Sequence, residues 1–245
     1  MNKNNILFPI LLILMWQVLS ATGVLPPYKI PSPLEIVLAG KELIVSGLPH
    51  GSGLLSHLGF SLVRVLCGFC MAVLIALPCG IMIGWSSRLR HVITPVIEMI
   101  RPIPPLAWIP LAILWFGIGL KSAAFIIFLG CFFPILLSTI SGVSSVDSNY
   151  IDAARTLGAR GNDIFMKILV PASIPSIFTG LRIGMGIGWM TLVAAEYTGV
   201  KSGFGLGYMI MTARDIQRPD YVIAGMAAIG LVGYLLDILL RFFEQ

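Results

Sequence analysis

Long apolar stretches separated by short polar segments run along almost the whole chain. A helix needs about 20 mostly apolar residues to cross a membrane, and six stretches come close to that length or exceed it. We predict spanning helices near residues 6–22, 58–85, 92–117, 122–146, 170–195 and 221–240. Because these helices account for most of the sequence, the pattern predicts an all-α integral membrane protein with a single transmembrane domain, residues 1–245.

The first apolar stretch, Ile6 to Leu19, also has the length of a secretory signal. Leu19-Ser20-Ala21 is a poor cleavage site, and the later spans need an anchor, so we expect an uncleaved first helix. The segment from Gly23 to Gly53 is rich in Pro and Gly, which predicts an ordered extramembrane loop with one short helix around Leu34–Val45.

The polar segment between the fourth and fifth predicted spans breaks the apolar pattern. Its spacing predicts about three helical turns over residues 150–160. One side would hold Ile151, Ala154, Leu157 and Gly158, and the other Asp152, Arg155 and Arg160. Asp152 and Arg155 can form an ion pair, and Gly158 or Gly161 can end the helix. The segment is too polar to span a bilayer and too short to be stable alone, so we expect other protein to hold it.

Composition agrees with a membrane environment. Of the residues, 57% are hydrophobic and 11% are charged, against about a quarter charged in an ordinary soluble domain. The net charge of +5 comes from scattered Lys and Arg residues, without the basic stripe that binds nucleic acid. We therefore expect a lipid bilayer and no nucleic acid as a partner. No segment is long enough for a domain that hydrolyses a nucleotide.

Cysteine, histidine and glycine patterns indicate no catalytic residue and no metal site. Cys67-x-x-Cys70 lacks a second pair of ligands, and the three histidines are isolated. Gly180, Gly184 and Gly188 lie inside an apolar helix without a preceding strand, so they do not match a phosphate-binding loop. Their four-residue spacing predicts a ridge that lets two helices pack closely.

The prolines at the start of the third predicted span should prevent a regular helix there. They are Pro102, Pro104, Pro105 and Pro110. Irregular backbone at membrane depth survives where protein buries it or where it lines an aqueous cavity. Pro104 and Trp108 are therefore candidates for a pathway or gate, although a kinked packing helix fits equally well.

Two charged residues in or near predicted spans are further pathway or gate candidates, because charges in spans normally face protein or water. Arg182 could attract an anion, or it could hold helices together through a carboxylate. Glu196 precedes a Gly-rich stretch, where an outer gate loop would lie. The two are about 21 Å apart along one helix, too far to pair directly.

The run Asp152-Ala153-Ala154, followed by Gly158, resembles the coupling motif of permeases of ATP-binding-cassette (ABC) importers. That motif is Glu-Ala-Ala, three residues, Gly, nine residues, Ile, one residue, Leu-Pro. Here Asp152 replaces the Glu, Val170 replaces the Leu, and the remaining positions match. The resemblance continues through Arg101–Pro110, Trp115–Gly119 and Thr179–Gly184. These stretches resemble the nitrate, sulfonate, taurine and bicarbonate branch, and Gly188–Glu196 is most similar to the taurine permease.

The resemblance implies a type I importer fold with six spans in a homodimer. It also implies two separate cytoplasmic ABC ATPase subunits, which bind the ATP, and an extracytoplasmic substrate-binding protein; this chain would carry no cofactor. The residues implied to contact the ATPase are Ile151, Asp152, Ala153, Ala154, Arg155, Leu157 and Gly158. The protein would lie in a bacterial or archaeal inner (plasma) membrane. Lys and Arg are almost equally divided between the two sides, so the coupling motif decides the orientation and places both termini in the cytoplasm.

We therefore expect the permease subunit of an ATP-driven importer for a small organic anion, taurine or another alkanesulfonate. Nitrate, bicarbonate or a heterocyclic nutrient are alternative substrates. A secondary transporter that needs no ATPase is an alternative class, and such proteins often show an internal repeat and intramembrane acids. A membrane-embedded enzyme would need clustered Asp, His or Ser at one membrane face. Neither pattern is evident in the sequence.

Overall fold

The structure, a computed structural model, describes residues 4–26, 28–48, 51–199 and 204–244. These residues form helices and their connections, without a strand in the described ranges. The α-helices are α1 (Asn4–Ala21), α2 (Pro33–Val45), α3 (Leu54–Trp85), α4 (Ser87–Ile100), α5 (Ile109–Phe116), α6 (Leu120–Ser144), α7 (Ser148–Thr156), α8 (Gly161–Ile164), α9 (Val170–Gly199), α10 (Leu206–Asp215) and α11 (Pro219–Glu244). A 3-10 turn, Pro105–Trp108, precedes α5, and a π-helical turn, Phe165–Leu169, joins α8 to α9.

The helices of spanning length coincide with four of the six predicted spans. They are Leu54–Trp85, Leu120–Ser144, Gly161–Tyr197 and Pro219–Phe242. The first predicted span, 6–22, corresponds to α1, whose described apolar part, Leu7–Ala21, is shorter than the length of about 20 residues that a full crossing needs. Six spans and a homodimer therefore stay predictions.

The third predicted span, 92–117, is not one helix. The chain bends by 79° between α4 and the following 3-10 turn and α5. Pro102 and Pro104 lie in the break and have no N–H to donate. Pro105 and Pro110 lie at the first positions of the next two helical segments, where a missing N–H costs nothing. The predicted irregularity is confirmed, and the prolines explain it.

The chain divides into two compact units, Met1–Leu62 with Ser202–Val232 and Val63–Lys201 with Gly233–Gln245. In the first unit, Ser32 caps α2. Its hydroxyl accepts from the Glu35 N–H at 3.2 Å, and the Glu35 carboxylate accepts from the Ser32 N–H at 2.7 Å. This reciprocal pair is a capping box. The short helix predicted near Leu34–Val45 is therefore confirmed.

Within the same unit, Arg218 contacts groups from two helices. It donates to the Asp220 carboxylate at 2.7 Å and lies 3.5 Å from a Glu42 oxygen on α2. Its guanidinium also lies 3.9 Å from the centre of the Tyr221 ring. The hydrogen bonds to Asp220 raise the pKa of the Arg218 guanidinium. Arg218 therefore joins α2 to the beginning of α11.

In the second unit, α6 is the most deeply buried helix, and α9 packs along it. A Cβ added at Gly180 would lie 2.6 Å from the Ser138 Cβ, and one at Gly184 would lie 2.8 Å from a side-chain carbon of Ile135. Gly188 is equally crowded. Real Cβ atoms do not approach so closely, so only glycine fits at these positions. The predicted packing ridge is confirmed.

An adjacent side of α6 is packed in the same way against α3. Added Cβ atoms at Gly80 and Gly84 would each lie 2.7 Å from a Cβ of α6, in Thr139 and Val143 respectively. Gly68 is crowded by α6 as well. Small residues on both neighbours thus bring two helix backbones close to α6, as is common where membrane helices associate without a hydrophobic driving force.

Candidate functional site

The predicted coupling segment is a short, capped helix that ends sooner than expected. The Asp147 side chain accepts from the Asn149 N–H at 2.9 Å and caps the N-terminus of α7. The helix ends at Thr156, and Leu157 and Gly158 follow in a turn. The prediction of helix over residues 150–160 is therefore wrong for its last turn.

Gly158 ends α7 because of its backbone conformation. Its φ is +85°, in a region that side chains with a Cβ rarely adopt. A Cβ added there would meet no heavy atom within 4 Å. The predicted role of Gly158 as the end of the helix is confirmed, whereas its predicted place on the inner, packed side is wrong. Glycine is required here by the turn and not by crowding.

The inner side of α7 packs against residues that precede and follow it in the chain. Ile151 and Ala154 are half-buried and pack against a cluster of Val143, Ile164 and Leu169. These partners belong to the end of α6, to α8 and to the π-helical turn. The prediction that other protein holds one face of the segment is confirmed for Ile151 and Ala154.

The outer side of α7 carries exposed apolar and charged groups. Tyr150 and Ala153 on α7, together with Leu157 just beyond its last residue, form an exposed apolar stripe, with Tyr150 67% and Leu157 88% exposed. Leu157 was predicted on the inner side, and that prediction is wrong. Asp152 and Arg155 pair at 3.2 Å, as predicted, and both are exposed. The segment thus has an exposed apolar stripe beside an exposed ion pair.

The helix break after α4 borders a cavity of about 370 Å³. Trp108 lies in its wall, together with Arg101 from the end of α4 and residues of α6 and α9. Pro104 lies in the break itself, just before the 3-10 turn that carries Trp108. Two of the four candidate pathway residues therefore lie at one place, beside a cavity.

Arg182 on α9 lies close to a carboxylate of α11. Its Nε is 4.0 Å from Asp237 Oδ1. The second Asp237 oxygen accepts from Arg241 Nε at 2.8 Å. This arrangement matches one of the two predicted alternatives, in which Arg182 holds helices together through a carboxylate.

Glu196 forms a buried ion pair with Arg64. Arg64 Nη1 donates to Glu196 Oε1 at 2.6 Å, and the two side chains are 3% and 0% exposed. The pair joins α9 to α3. The pairing was not predictable from the sequence, because 132 residues separate the two charges and no local spacing rule connects them. Glu196 therefore does not share a site with Trp108 or Arg182 in this structure.

The described residues named above do not form a grouping typical of a catalytic site. In the described part of the chain, no three His, Cys, Asp or Glu residues lie close enough to hold a metal ion. The second unit contains a closely packed helical core, a cavity at a helix break, and the helix α7, which packs on one side and is exposed on the other. These are features of a membrane transport subunit that works with another protein.

The chain belongs to the binding-protein-dependent transport system inner membrane components, whose family model matches residues 76–245. It is a non-catalytic, multi-pass membrane subunit, an ABC importer permease of the nitrate, sulfonate and taurine branch. A protein of Methanocaldococcus jannaschii named as an ABC transporter permease is 45% identical, over 98% of this chain and 89% of that protein.

The names of two further relatives include a substrate. The taurine transport system permease protein of Escherichia coli is 38% identical, over 96% of this chain and 84% of its own length. A nitrate import permease protein of Synechocystis is 35% identical, over 96% and 85%. Among solved structures, a chain of the MetNI methionine ABC transporter matches 77% of this chain and 94% of its own, with a TM-score of 0.62 and 19% identity. That likeness shows the type I permease fold.

Proposed function

We propose that two copies of this chain form the pathway of an ATP-driven importer for a small organic anion, taurine or another alkanesulfonate. The support is the relative named for taurine transport and the resemblance to taurine permeases over Gly188–Glu196. Nitrate and bicarbonate stay alternatives, because a nitrate permease is almost as similar. A heterocyclic nutrient is a further alternative. The ATPase-independent transporter is set aside, because the family works with ATPase partners.

In this proposal α7 docks a cytoplasmic ATPase. One ATPase subunit binds each permease copy and holds the ATP, and a binding protein delivers the substrate on the extracytoplasmic side. Both termini of the chain then lie in the cytoplasm. The observation that carries the docking role is the exposed stripe of Tyr150, Ala153 and Leu157, because apolar side chains so exposed on a packed helix mark an interaction surface.

The inner side of α7 explains how docking moves the spans. Ile151 and Ala154 are packed on the end of α6 and on the turn that leads into α9. Closely packed side chains transmit displacement because interiors have few voids to absorb it. Closure of the ATPase dimer around ATP therefore shifts the equilibrium between inward and outward openings of the permease.

The residues at the helix break form part of the pathway in this proposal. Trp108 lines the cavity, and Pro104 keeps the preceding backbone from closing into a regular helix. Arg182 braces α9 against α11 through Asp237. The bracing geometry of Glu196 with Arg64 supports a structural role over the gate role.

The docking role predicts different outcomes for the two sides of α7. Leu157→Ser should reduce copurification of the ATPase about fivefold or more, the equivalent of about 1 kcal/mol at an interface. The thermal stability of the permease alone should not change, since Leu157 is 88% exposed. The matched variant Ile151→Ser should instead lower the stability of the permease. Wild-type copurification with Leu157→Ser would contradict the docking role.

The substrate is tested with the wild-type permease, its ATPase and its binding protein reconstituted in proteoliposomes. We expect ATP-dependent uptake of radiolabelled taurine that excess ethanesulfonate inhibits and excess nitrate does not. Uptake of nitrate or bicarbonate without any sulfonate uptake would overturn the substrate while leaving the family assignment intact. Uptake that continues without ATPase would contradict the transport mechanism.

A further inference from the structure

The cavity at the helix break has the size and lining of a small-molecule site. Its volume of about 370 Å³ is near the lower end of the range of about 300–1,000 Å³ for ligand pockets. The wall is mostly apolar, with Trp108, Phe133 and Ile183 among its residues, and Arg101 and Ser138 are its residues with polar side chains. A ligand that fits such a wall has a charged end and a short apolar part.

Arg101 differs from the other arginines of the predicted spans in its surroundings. Arg64 pairs with Glu196, and Arg182 lies 4.0 Å from Asp237. Around Arg101, no carboxylate of the described residues lies within ion-pair distance. A cation near an apolar membrane region is costly without a counter-charge or water. Its charge is therefore open to an anion that enters the cavity.

The backbone at Arg101 gives a second, independent reason for a solvent-filled cavity. Arg101 directly follows α4, at the start of the 79° bend. The Arg101 N–H donates to the Ile97 carbonyl at 2.8 Å, but Pro102 and Pro104 that follow have no N–H to continue the helix. Irregular backbone at membrane depth is tolerated where it is buried or lines a water-filled cavity. The prolines cause the break, and the cavity beside it, with Arg101 in its wall, is where this backbone meets water.

We propose that this cavity is an anion-binding subsite, in which Arg101 binds the sulfonate of an alkanesulfonate and Trp108 covers its alkyl part. The planar guanidinium can donate two parallel hydrogen bonds to two oxygens of one anionic group. This inference rests on the proposed function and moves the anion-attracting role from Arg182, whose charge faces Asp237, to Arg101.

The test uses the complete permease–ATPase–binding protein complex in proteoliposomes, with radiolabelled taurine as the probe. Arg101→Gln should lower the initial uptake rate about tenfold or more, since a charge-assisted hydrogen bond is lost. Arg101→Lys should restore part of the rate by returning the charge. Arg88→Gln, the same substitution near the other end of α4 and exposed, should leave uptake unchanged. Complex yield and basal ATP hydrolysis are measured for each variant.

The outcomes separate this inference from the proposed function. Sulfonate uptake by the wild type with an equal rate in Arg101→Gln would overturn the subsite and retain the function. Loss of uptake together with loss of complex yield, without recovery in Arg101→Lys, would assign Arg101 a structural role and also overturn the subsite. Absence of sulfonate uptake by the wild type would overturn the proposed substrate. Lost uptake at normal yield, with recovery by lysine, supports the subsite.

Discussion

The buried pair of Arg64 and Glu196 allows a quantitative test of what holds α3 to α9. Replacing one partner leaves the other as an uncompensated buried charge, which costs about 3–5 kcal/mol. That is a large part of the roughly 5–15 kcal/mol by which a protein of this kind is stable. Arg64→Met and Glu196→Gln should therefore each reduce the yield of folded protein and lower its melting temperature.

A double variant shows whether the two side chains stabilise the protein as a pair or whether each position tolerates substitution poorly by itself. Replacing both partners by apolar residues of similar volume is often neutral or stabilising by about 1–4 kcal/mol. Arg64→Met with Glu196→Met should therefore be more stable than either Arg64→Met or Glu196→Met alone. The stability change of the double variant minus the sum of the two single changes gives the coupling energy of the pair. Thermal unfolding of the detergent-solubilised protein, followed by size-exclusion chromatography, measures these stabilities.

A control and two contrary results complete the experiment. Lys167→Met breaks an exposed pair with Asp163 at 2.7 Å, which should be worth less than about 1 kcal/mol. A double variant no more stable than the worse single variant would refute the compensating pair. Normal stability of Glu196→Gln with abolished uptake would refute bracing and favour the gate role.

Three further predictions concern glycines and an extramembrane contact. Gly158→Ala should lower the stability of the protein by about 1–2 kcal/mol, because its φ is positive, and it should weaken ATPase copurification. Gly161→Ala, at a position with open space and an ordinary φ, should have neither effect. Gly184→Ala should lower the melting temperature through about 1–3 kcal/mol of overpacking against α6; Gly186→Ala, with no neighbour within 4 Å, should be neutral in the same thermal assay. Arg218→Ala should cost less than about 1 kcal/mol by thermal unfolding, because Arg218 is 41% exposed.

Features governed by neighbouring residues were predictable from the sequence. The prolines of the third span act on their own backbone, so the break at Pro102 and Pro104 could be predicted without the fold. The ridge of Gly180, Gly184 and Gly188 could be predicted from spacing alone, because residues four apart lie on one helix face.

The faces of α7 were only partly predictable. Periodicity assigns sides correctly while the helix continues, as for Ile151 and Ala154. Leu157 lies beyond the last helical residue, where the periodicity of an α-helix no longer determines the direction of a side chain. The helix ends about one turn sooner than predicted, and Leu157 therefore lies at the surface and not on the predicted inner side.

Which residues would pair with the charges in the spans was not predictable. The pairing of Arg64 with Glu196, and the approach of Asp237 to Arg182, depend on which helices pack together and in what register. Hydrophobic pattern and composition carry no information about either. The approach of Asp237 to Arg182 is the reason why the anion-binding subsite is proposed at Arg101 and not at Arg182.

The helical stretch Gly161–Tyr197 runs without interruption for 37 residues, from the base of α7 past the Arg64–Glu196 pair. At 1.5 Å per residue it measures about 55 Å, more than the thickness of a bilayer. A rod of this length acts as a lever arm: a tilt of about 10° around one end displaces the other by roughly 10 Å. Its π-helical turn packs against α7, so in the proposed mechanism a displacement of α7 tilts this long helix near one end and is enlarged toward the other.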